Sequence, residues 1–564
     1  MYAESKQKAS VIPIQPFLRA SMKELFKTTS LGNGAVKLIS TGNPFVDQFG
    51  KVGSYRQIRQ MSEIHDDMHP LWATSPLLTV CFVIYLRMIT RIVKLFSGKK
   101  TLGVQRGAGL KHEAIMRMIW IYVHYPETFW KNISTFIAIG CWRDIITMMS
   151  YDIQANGWKD RTLNWDEFGK LILAGLENPE HSELVKKYLP SIKSNKLCTT
   201  PAAKADNVIA KWLCYMLFGN KSTQFDLNAI PNYNNYKKYR LLKSSGKAHE
   251  WQQLISQGKF LSINFDTIHG RALAQLVSSK FLENQNLTEA YDKWISTKPL
   301  AKYTGYVHEL LSYVKEGYNN KLLKPWQTKT INAQFLQLVE TARKDMNTES
   351  SFIVALDTSA SMTSSVPGLK TSSYIIGKSL ALFFAHLLDG PFKHAWFEFN
   401  DEAKLKTWKG STPVEMFQND ASQAYGSTNL QSITELWCQL RSEGISEEHF
   451  PTGIICISDN CFNSTGSQTN YETMIQAITP HFSQEYLDKF TVVFWNIPNI
   501  YYSEEPQMAF ETLADTKNVF YFSGFDGSIF AFLMGTSYSP RIPQTAEELF
   551  SIAMNQEIMQ NIEI

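Results

Sequence analysis

The sequence predicts two kinds of domain: an all-α N-terminal part built from stacked helices, and an α/β C-terminal part built on a doubly wound parallel sheet. A chain of 564 residues is too long for a single hydrophobic core. Near residue 350 the apolar pattern changes from helical periodicity to short apolar strands that alternate with helices. The charge changes there too. Residues 1–349 contain 46 Lys and Arg against 28 Asp and Glu, and residues 350–564 contain 10 against 24.

These changes divide the chain into four expected segments. They are an N-terminal extension at 1–40, a helical repeat domain at 41–345, an α/β domain at 350–540 and a C-terminal tail at 541–564. Paired helices of similar length are typical of a HEAT-like solenoid, although no clean sequence period is visible. The predicted helices are Ser75–Phe96, Glu113–Tyr125, Glu127–Gly140, Trp142–Ser150, Thr200–Leu217, Lys247–Gln257, His269–Glu283, Thr288–Trp294 and Thr304–Val314.

After residue 350, apolar runs alternate with helical patterns, which is typical of a doubly wound parallel sheet. The predicted strands are Phe352–Leu356, His394–Phe399, Gly453–Ile457, Phe490–Trp495 and Val519–Phe522. The predicted helices of this part are Ser372–Leu388, Leu430–Glu443 and Asn470–Thr479. Ligand-binding loops of such sheets lie beyond the carboxyl ends of the strands.

Side chains that carry oxygen atoms follow two of these strands, and another lies on a third loop, just before a helix. Asp357, Ser359 and Ser361 follow the first strand, Thr428 precedes a helix, and Asp459 follows the strand Gly453–Ile457. Carboxylates and hydroxyls are hard ligands, suited to Mg²⁺ or another divalent cation such as Mn²⁺ or Ca²⁺. The alternative is a capped strand-to-helix turn, because Asp and Ser favour such turns. The metal site is favoured over the capped turn, because oxygen ligands that come from three separate loops match the ligand shell of Mg²⁺.

These motifs resemble the metal-ion-dependent adhesion site (MIDAS) of von Willebrand factor A domains. A basic helical half followed by such a domain resembles the TROVE family, typified by the Ro autoantigen, and more closely an uncharacterised TROVE-like group of eukaryotes, viruses and phages. The resemblance implies a HEAT-like ring closed by the von Willebrand A domain and, for the Ro branch, binding of structured and single-stranded RNA. The motifs that carry it include Asp357–Met362, Phe399–Glu402, Gly426–Thr428, Ser458–Asn460, Thr41–Asp47, Gly140–Asp144, Tyr239–Arg240, Phe494–Asn496 and Phe522–Phe525.

Basic clusters in the N-terminal half are the predicted RNA contacts, because Lys and Arg neutralise phosphates. For each cluster the alternative is a solvated helix face. The glycine-rich segment Gly98–Gly109 lacks the spacing of a nucleotide-binding P-loop. The predicted contacts are Arg87, Arg91, Lys94, Lys99, Lys100, Arg106, Lys111, His112, Lys237, Lys238, Arg240 and Lys243.

Composition narrows the class of protein. The seven cysteines form no Cys-x-x-Cys pair, which argues against a zinc site and a disulfide framework. The longest apolar stretch, Leu77–Leu86, is too short to span a bilayer, and no secretory signal is visible. We therefore expect a cytoplasmic protein without membrane contact, or a virion protein if a virus encodes it.

Three functions remain open. The first is a non-enzymatic RNA-binding ring, a ribonucleoprotein component. The second is a protein-interaction or structural module whose cation captures an acidic residue of a protein partner. The third, a metal-dependent hydrolase, is the least favoured, because one cation site without a paired base is thin support.

Overall fold

The structure is a computed structural model that describes residues 28–30, 36–51, 53, 59–95, 101–219, 225–226, 231–246, 250–303, 305–314, 323–345, 351–366, 369, 371–497, 510–525, 533 and 543–564. It divides into two compact units. The sheet unit comprises Met1–Gln57 and Asn264–Gln556, and the helical unit comprises Ile58–Ile263 and Glu557–Ile564. In sequence, residues Ile58–Ile263 of the helical unit are therefore inserted within the sheet unit, and its segment Glu557–Ile564 follows the sheet unit.

The strands of the described residues form three sheets. Two are antiparallel hairpins, β1–β2 and β3–β4, and the third has six strands, β5 to β10. The strands are β1 Thr28–Ser30, β2 Val36–Leu38, β3 Arg91–Lys94, β4 Thr101–Gln105, β5 Phe352–Asp357, β6 Ala395–Phe399, β7 Ala403–Thr407, β8 Gly453–Ser458, β9 Thr491–Asn496 and β10 Val519–Ser523.

The six-stranded sheet has the order β10-β9-β8-β5-β6-β7. Every neighbouring pair is parallel except β6 and β7, which are antiparallel. The doubly wound α/β fold is confirmed, and all five predicted strands lie within one residue of the observed ones. The edge strand β7 was not predicted, because its short sequence Ala-Lys-Leu-Lys-Thr is mostly exposed and polar.

Both faces of the central strands are buried, as expected where helices cover a parallel sheet. On one face Ile353 and Ala355 join an apolar core with Trp437 of the helix Gln431–Ser442. On the other face the helix Ser373–Ala385 packs on β5. Gly377 allows that approach, since a Cβ atom there would lie 2.5 Å from the Leu356 side chain.

Helices 264–345 belong to the sheet unit and not to the preceding helices, so the compact units differ from the predicted boundary near residue 350. The physical reason is packing: Val307–Leu311 contacts the helix Ser373–Ala385, and Pro325–Asp345 contacts Pro413–Asn419. The remaining helices of this unit are Pro44–Lys51, Gly270–Ser278, Phe281–Asn284, Thr288–Ile295, Asn470–Ile478, Gln484–Leu487 and Ala546–Met554.

In the helical unit, some helices pack on a neighbour in sequence, as Pro76–Arg87 does on Lys111–His124, and others pack on a more distant helix, as Trp142–Asn156 does on Pro201–Phe218. This confirms the helix-rich N-terminal part, whereas closure into a ring stays a prediction. Its helices are Met61–Thr74, Pro76–Arg87, Lys111–His124, Pro126–Ile139, Trp142–Asn156, Trp165–Glu177, Ser182–Tyr188, Pro201–Phe218, Tyr233–Ser244 and Glu250–Ser256.

One predicted helix, Ser75–Phe96, is wrong in its second half. The helix ends at Arg87, and the chain continues as β3. The β-branched residues Ile92 and Val93 favour a strand, and β4 supplies the pairing partner, with Ile92 opposite Val104. β4 lies within the glycine-rich segment Gly98–Gly109.

The C-terminal tail is ordered where it is described. Helix Ala546–Met554 packs on Pro44–Lys51, with the rings of Phe45 and Phe550 stacked at 5.3 Å. The last residues join the helical unit, where the Asn132 amide donates to the Glu563 carbonyl at 2.6 Å. None of the helices in the described part of the chain has the length and apolar character needed to cross a membrane.

Candidate functional site

The predicted cation ligands meet at the carboxyl edge of the sheet, where the strand order reverses. β6 and β7 follow β5 in the chain and lie on one side of it in the sheet. The chain then crosses to β8, which pairs with the other side of β5. Open α/β sheets bind ligands in the crevice outside such a reversal. Asp357 ends β5 and Asp459 directly follows β8, so both carboxylates lie at this crevice.

The Asp357 carboxylate is fully buried, and each of its oxygens has a partner. Oδ1 accepts a hydrogen bond from the Ser359 backbone N–H at 2.8 Å. Oδ2 accepts one from the Ser458 hydroxyl at 2.5 Å, which ties β5 to β8. Each oxygen of an ionised carboxylate has a second lone pair, so these bonds orient Asp357 and leave it able to bind a cation.

The two serines of the first loop present their hydroxyls side by side. The Oγ atoms of Ser359 and Ser361 lie 3.1 Å apart. Adjacent ligands of an octahedral Mg²⁺, each at about 2.1 Å, are separated by about 3.0 Å. The spacing of these hydroxyls therefore fits two neighbouring positions of a magnesium shell.

The second loop is held against the first by backbone hydrogen bonds. Tyr425 N–H donates to the Thr358 carbonyl at 2.7 Å, and Ala360 N–H donates to the Gly426 carbonyl at 3.3 Å. These bonds bring the loop that carries Thr428 to the end of β5. Thr428 itself is buried.

Asp401, on the loop after β6, fixes the conformation of the second loop. Its Oδ1 accepts from the Ser427 hydroxyl at 2.6 Å and from the Ser427 backbone N–H at 2.9 Å, and these bonds lower the pKa of Asp401. Gly426 has a φ of +78°, and a Cβ there would lie 2.5 Å from Asp401 Oδ2. Only glycine fits that position. Ser427 thus uses its hydroxyl to hold Asp401.

The third loop turns sharply after β8. Asn460 has a φ of +70°, a left-handed conformation that asparagine tolerates better than most residues. Its N–H donates to the Ser458 hydroxyl at 3.0 Å, and the Cys461 N–H donates to Asp459 Oδ1 at 3.3 Å. The turn thus directs Asp459 back toward the end of β5.

The two carboxylates repel each other electrostatically. Burial, and then the charge of Asp459, raise the pKa of Asp357 to about 7, against the opposing effect of its hydrogen bonds. A cation between two such carboxylates would offset both effects, because it stabilises the ionised form of each. The electrostatics therefore favour a positively charged ligand.

Lys37 on β2 supports the third loop and was not predicted. It is fully buried, its Nζ donates to the Asn460 carbonyl at 3.1 Å, and it pairs with Glu511 at 3.3 Å. Nζ also lies 4.3 Å from the centre of the Phe462 ring. Burial lowers the pKa of Lys37, and the Glu511 carboxylate opposes that shift. Glu511 in turn accepts from the Tyr471 backbone N–H at 3.2 Å.

Sequence reasoning missed these supporting residues for different reasons. Lys37 precedes the site by more than 300 residues, and no local pattern indicates that its side chain points inward. Asn463 could have been predicted from the sequence, since it lies on the same loop as Asp459. It accepts from the Thr428 N–H at 3.3 Å and donates its own N–H to the Thr428 carbonyl at 2.8 Å.

The residues present fit a hard divalent cation. They offer the carboxylates of Asp357 and Asp459 and the hydroxyls of Ser359, Ser361 and Thr428, which are oxygen ligands of the kind that Mg²⁺ prefers. Among the described residues, no group of three or more His, Cys, Asp and Glu side chains is placed to hold a metal ion. A cation here would therefore depend on the hydroxyls as well as the carboxylates.

Arg87 and Arg91, which are among the predicted RNA contacts, have hydrogen-bond partners within the helical unit. Arg87 Nε donates to Asp144 Oδ2 at 2.7 Å, and Arg91 Nη2 donates to the Ala138 and Ile139 carbonyls at 2.8 Å each. Asp144 also accepts from the Cys141 N–H at 3.0 Å as a helix cap. These contacts hold helix ends together and leave both guanidinium groups less available to phosphates.

The other contacts of this region differ in exposure. Lys94 is exposed on β3, whereas Arg106 is buried. Lys111 lies 3.5 Å from Asp144 Oδ1, and His112 contacts the Tyr151 hydroxyl. Burial lowers the pKa of His112. The two remaining predicted contacts, Lys99 and Lys100, lie outside the described residues.

The residues of the last predicted cluster lie on two different faces of the helix Tyr233–Ser244. Lys237, Lys238 and Arg240 are exposed. Lys243 instead donates to the Leu189 carbonyl, and burial lowers its pKa. The three exposed side chains remain predicted RNA contacts, and Lys243 anchors the helix.

The sheet domain matches a family of unknown function. The matching family is described as a domain of unknown function (DUF7788), and it covers residues 351–560. This range contains all three loops of the site. No curated protein matches the chain.

A search of solved structures returns the crystal structure of the Deinococcus radiodurans RO (RSR) protein. The match covers 91% of this chain and 99% of that chain, at 14% sequence identity and a TM-score of 0.35.

Proposed function

We propose that the chain is a non-enzymatic binding protein that captures an acidic group through a divalent cation and binds RNA through its basic helical unit. The observation that carries the first part is the meeting of three loops at one sheet edge. Asp357, with the neighbouring hydroxyls 3.1 Å apart, offers a partial oxygen shell at that place.

The shell is incomplete, which gives the cation a ligand to capture. The five side chains supply at most five monodentate oxygens, whereas Mg²⁺ takes six ligands. The remaining position suits a carboxylate oxygen from a partner. The three loops contain no histidine to act as a general base, so binding is favoured over hydrolysis.

Cation binding is tested by titrating the full-length protein with Mn²⁺, whose paramagnetism reports binding directly, and with Mg²⁺ as competitor. Asp357→Asn and Thr428→Ala should each weaken binding by at least about tenfold, as expected for the loss of one oxygen ligand. The matched control is Glu435→Ala, an exposed carboxylate on the helix Gln431–Ser442.

If both site variants bind Mn²⁺ with wild-type affinity, the cation proposal fails. Mg²⁺-stimulated RNA cleavage that disappears in Asp357→Asn would instead establish a hydrolase.

The RNA part rests on the charge of the helical unit. Residues 58–263 contain 27 Lys and Arg against 16 Asp and Glu. In the described part of the chain, no carboxylate forms an ion pair with Lys237, Lys238 or Arg240, whereas Lys131 and Lys186 pair with Glu residues on their own helices. Exposed cations without carboxylate partners are suited to phosphates.

RNA binding is tested by fluorescence anisotropy across a series of salt concentrations. Lys237→Glu with Arg240→Glu should weaken binding and flatten the salt dependence, because each lost phosphate contact removes about 0.7 to 0.9 from the logarithmic slope. Lys170→Glu, at another exposed lysine of the same unit, is the control. Binding that does not depend on salt would contradict the proposal.

A further inference from the structure

The exposed face of the helix Tyr233–Ser244 carries aromatic and apolar side chains as well as basic ones. Tyr233 is 73% exposed and Leu241 is 59% exposed, which is unusual for side chains of this size. At 100° per residue, Arg240, Tyr233, Lys237 and Leu241 fall within one arc of about 100° on the helix. We call these four side chains the Tyr233 stripe.

The opposite face anchors the helix and fixes the direction of the stripe. Tyr239 is buried, and its hydroxyl donates to the Pro190 carbonyl at 2.8 Å. Lys243 donates to the neighbouring carbonyl of Leu189. The helix also packs on Pro201–Phe218. The stripe therefore points away from the rest of the unit on a rigid element and not on a loose loop.

The sequence of the segment that carries the stripe favours an anionic ligand. Residues 227–249 contain no Asp or Glu. A surface that binds a protein would be expected to carry charges of both signs. The charged Lys and Arg side chains of this segment are all positive, which suits a polyanion. The flanking Lys238 is exposed as well and adds to the positive charge.

From these observations we propose that the Tyr233 stripe is a binding site for single-stranded RNA, with a base stacked on Tyr233 and phosphates paired with Lys237 and Arg240. Aromatic rings alternating with basic groups are the means by which proteins hold unpaired strands, because every base has a face that can stack. In a duplex the bases are already stacked on each other, so only its phosphates could reach the stripe. This inference rests on the proposed RNA function and narrows its ligand to unpaired strands.

The test compares two labelled RNAs on the full-length protein: a non-self-complementary single strand and a blunt-ended duplex with the same number of phosphates. Tyr233→Ala should weaken single-strand binding about 5- to 100-fold, the range for loss of one stacked base, and leave duplex binding unchanged. The salt dependence of single-strand binding should also stay unchanged, since no charge is removed. Tyr233→Phe, which keeps the ring, should bind like the wild type.

The control for loss of an exposed apolar side chain is Leu261→Ala, since Leu261 is 89% exposed in the same unit. If Tyr233→Ala binds the single strand like the wild type while Lys237→Glu with Arg240→Glu weakens both RNAs, the stacking site is overturned and RNA binding stands. If the charge variant binds both RNAs like the wild type, the RNA surface proposed for this helix is overturned as well. A stripe that serves a protein partner would give this second result.

Discussion

In the proposed function, the single carboxylate of Asp357 couples folding to cation binding. It is buried at the end of β5, close enough to Asp459 for their charges to interact, and its pKa is raised to about 7 from an ordinary value of 3.8. Between these two values the folded protein keeps a proton that the unfolded chain has lost. The stability that this proton provides is complete below about pH 4 and is lost as the pH rises toward 7.

The first prediction concerns pH. Without a divalent cation, the contribution of Asp357 to the free energy of unfolding should fall between about pH 5 and pH 8, and Mg²⁺ should bind more tightly at pH 8 because the proton no longer competes. Urea unfolding and Mg²⁺ titration at both pH values measure these effects. Asp357→Asn should remove that part of the pH dependence, and an unchanged profile in this variant would assign it to other groups.

The second prediction concerns Lys37, which we expect to position the loop of Asp459. Lys37→Met should destabilise the protein by about 3 to 5 kcal/mol, because Glu511 is left buried without its cation. Lys37→Met with Glu511→Gln should recover part of that loss. Both variants should still bind Mn²⁺ more weakly than the wild type, since the Asn460 carbonyl has lost its donor. Wild-type affinity in the double variant would show that Lys37 acts on folding alone.

At this scale the sequence indicated the side chains that could bind a cation but not those that hold them. Asp357 and Ser359 belong to a recognisable local motif, and the structure brings that motif to the loops of Thr428 and Asp459. Lys37 has no such motif, because its role depends on a contact between distant segments. A charged residue between two apolar ones on a short strand does not reveal which way it points.

In the helix Ser373–Ala385, the helical pattern of the sequence and the packing of the helix on the sheet agree. The helix Ser373–Ala385 was predicted from its apolar pattern, and Gly377 lets it lie close to β5 and β8. Gly377 would ordinarily weaken a helix by about 1 kcal/mol relative to alanine. Its close contacts with Leu356 and Ile457 explain why glycine is accommodated there.

The third prediction follows from that contact. Gly377→Ala should destabilise the sheet unit by about 1 to 3 kcal/mol through overpacking, less the gain in helix propensity, because the new Cβ lies 2.5 Å from Leu356 Cδ1. Adding Leu356→Val removes that atom and should recover part of the loss. Urea unfolding of the wild type, both single variants and the double variant gives the coupling. Additive effects would place the strain elsewhere.

Two of the strands that were not predicted share one property: their partners stabilise them. β3 has two basic and two β-branched residues directly after a helix, and its pairing with β4 stabilises it as a strand. β7 is short and exposed, and it is a strand because β6 offers an edge. The five buried strands and many helices could be predicted because their own residues carry the pattern, whereas helices such as Trp165–Glu177 and Pro325–Asp345 were missed. Edge strands and hairpins depend on neighbours.

The whole molecule has two compact units and two proposed ligands, and we expect each ligand to stabilise only the unit that binds it. The cation loops lie in the sheet unit, and the Tyr233 stripe lies in the helical unit. Ligand binding stabilises the segments that it orders, by about 2.7 kcal/mol when the ligand is at 100 times its dissociation constant. Each ligand should therefore protect a different part of the chain.

The fourth prediction is a pattern of amide hydrogen exchange. Mg²⁺ should slow exchange in 357–363, 425–430 and 458–463, and single-stranded RNA should slow it in 233–244. Asp357→Asn should lose only the first effect, and Tyr233→Ala should weaken only the second. Protection of both units by either ligand would contradict independent sites and would show that the units are coupled.

The buried pair of Lys37 and Glu511 also has a consequence for how the protein is made. The two residues are 474 positions apart in the chain. At about 5 to 20 residues per second, translation separates them by roughly half a minute to a minute and a half. All of residues 58–263 are synthesised within that interval, so this part of the helical unit can fold on the ribosome first, whereas its segment Glu557–Ile564 is made after Glu511. Lys37 meets its partner, and the Asp459 loop gains its support, only after Glu511 has been translated.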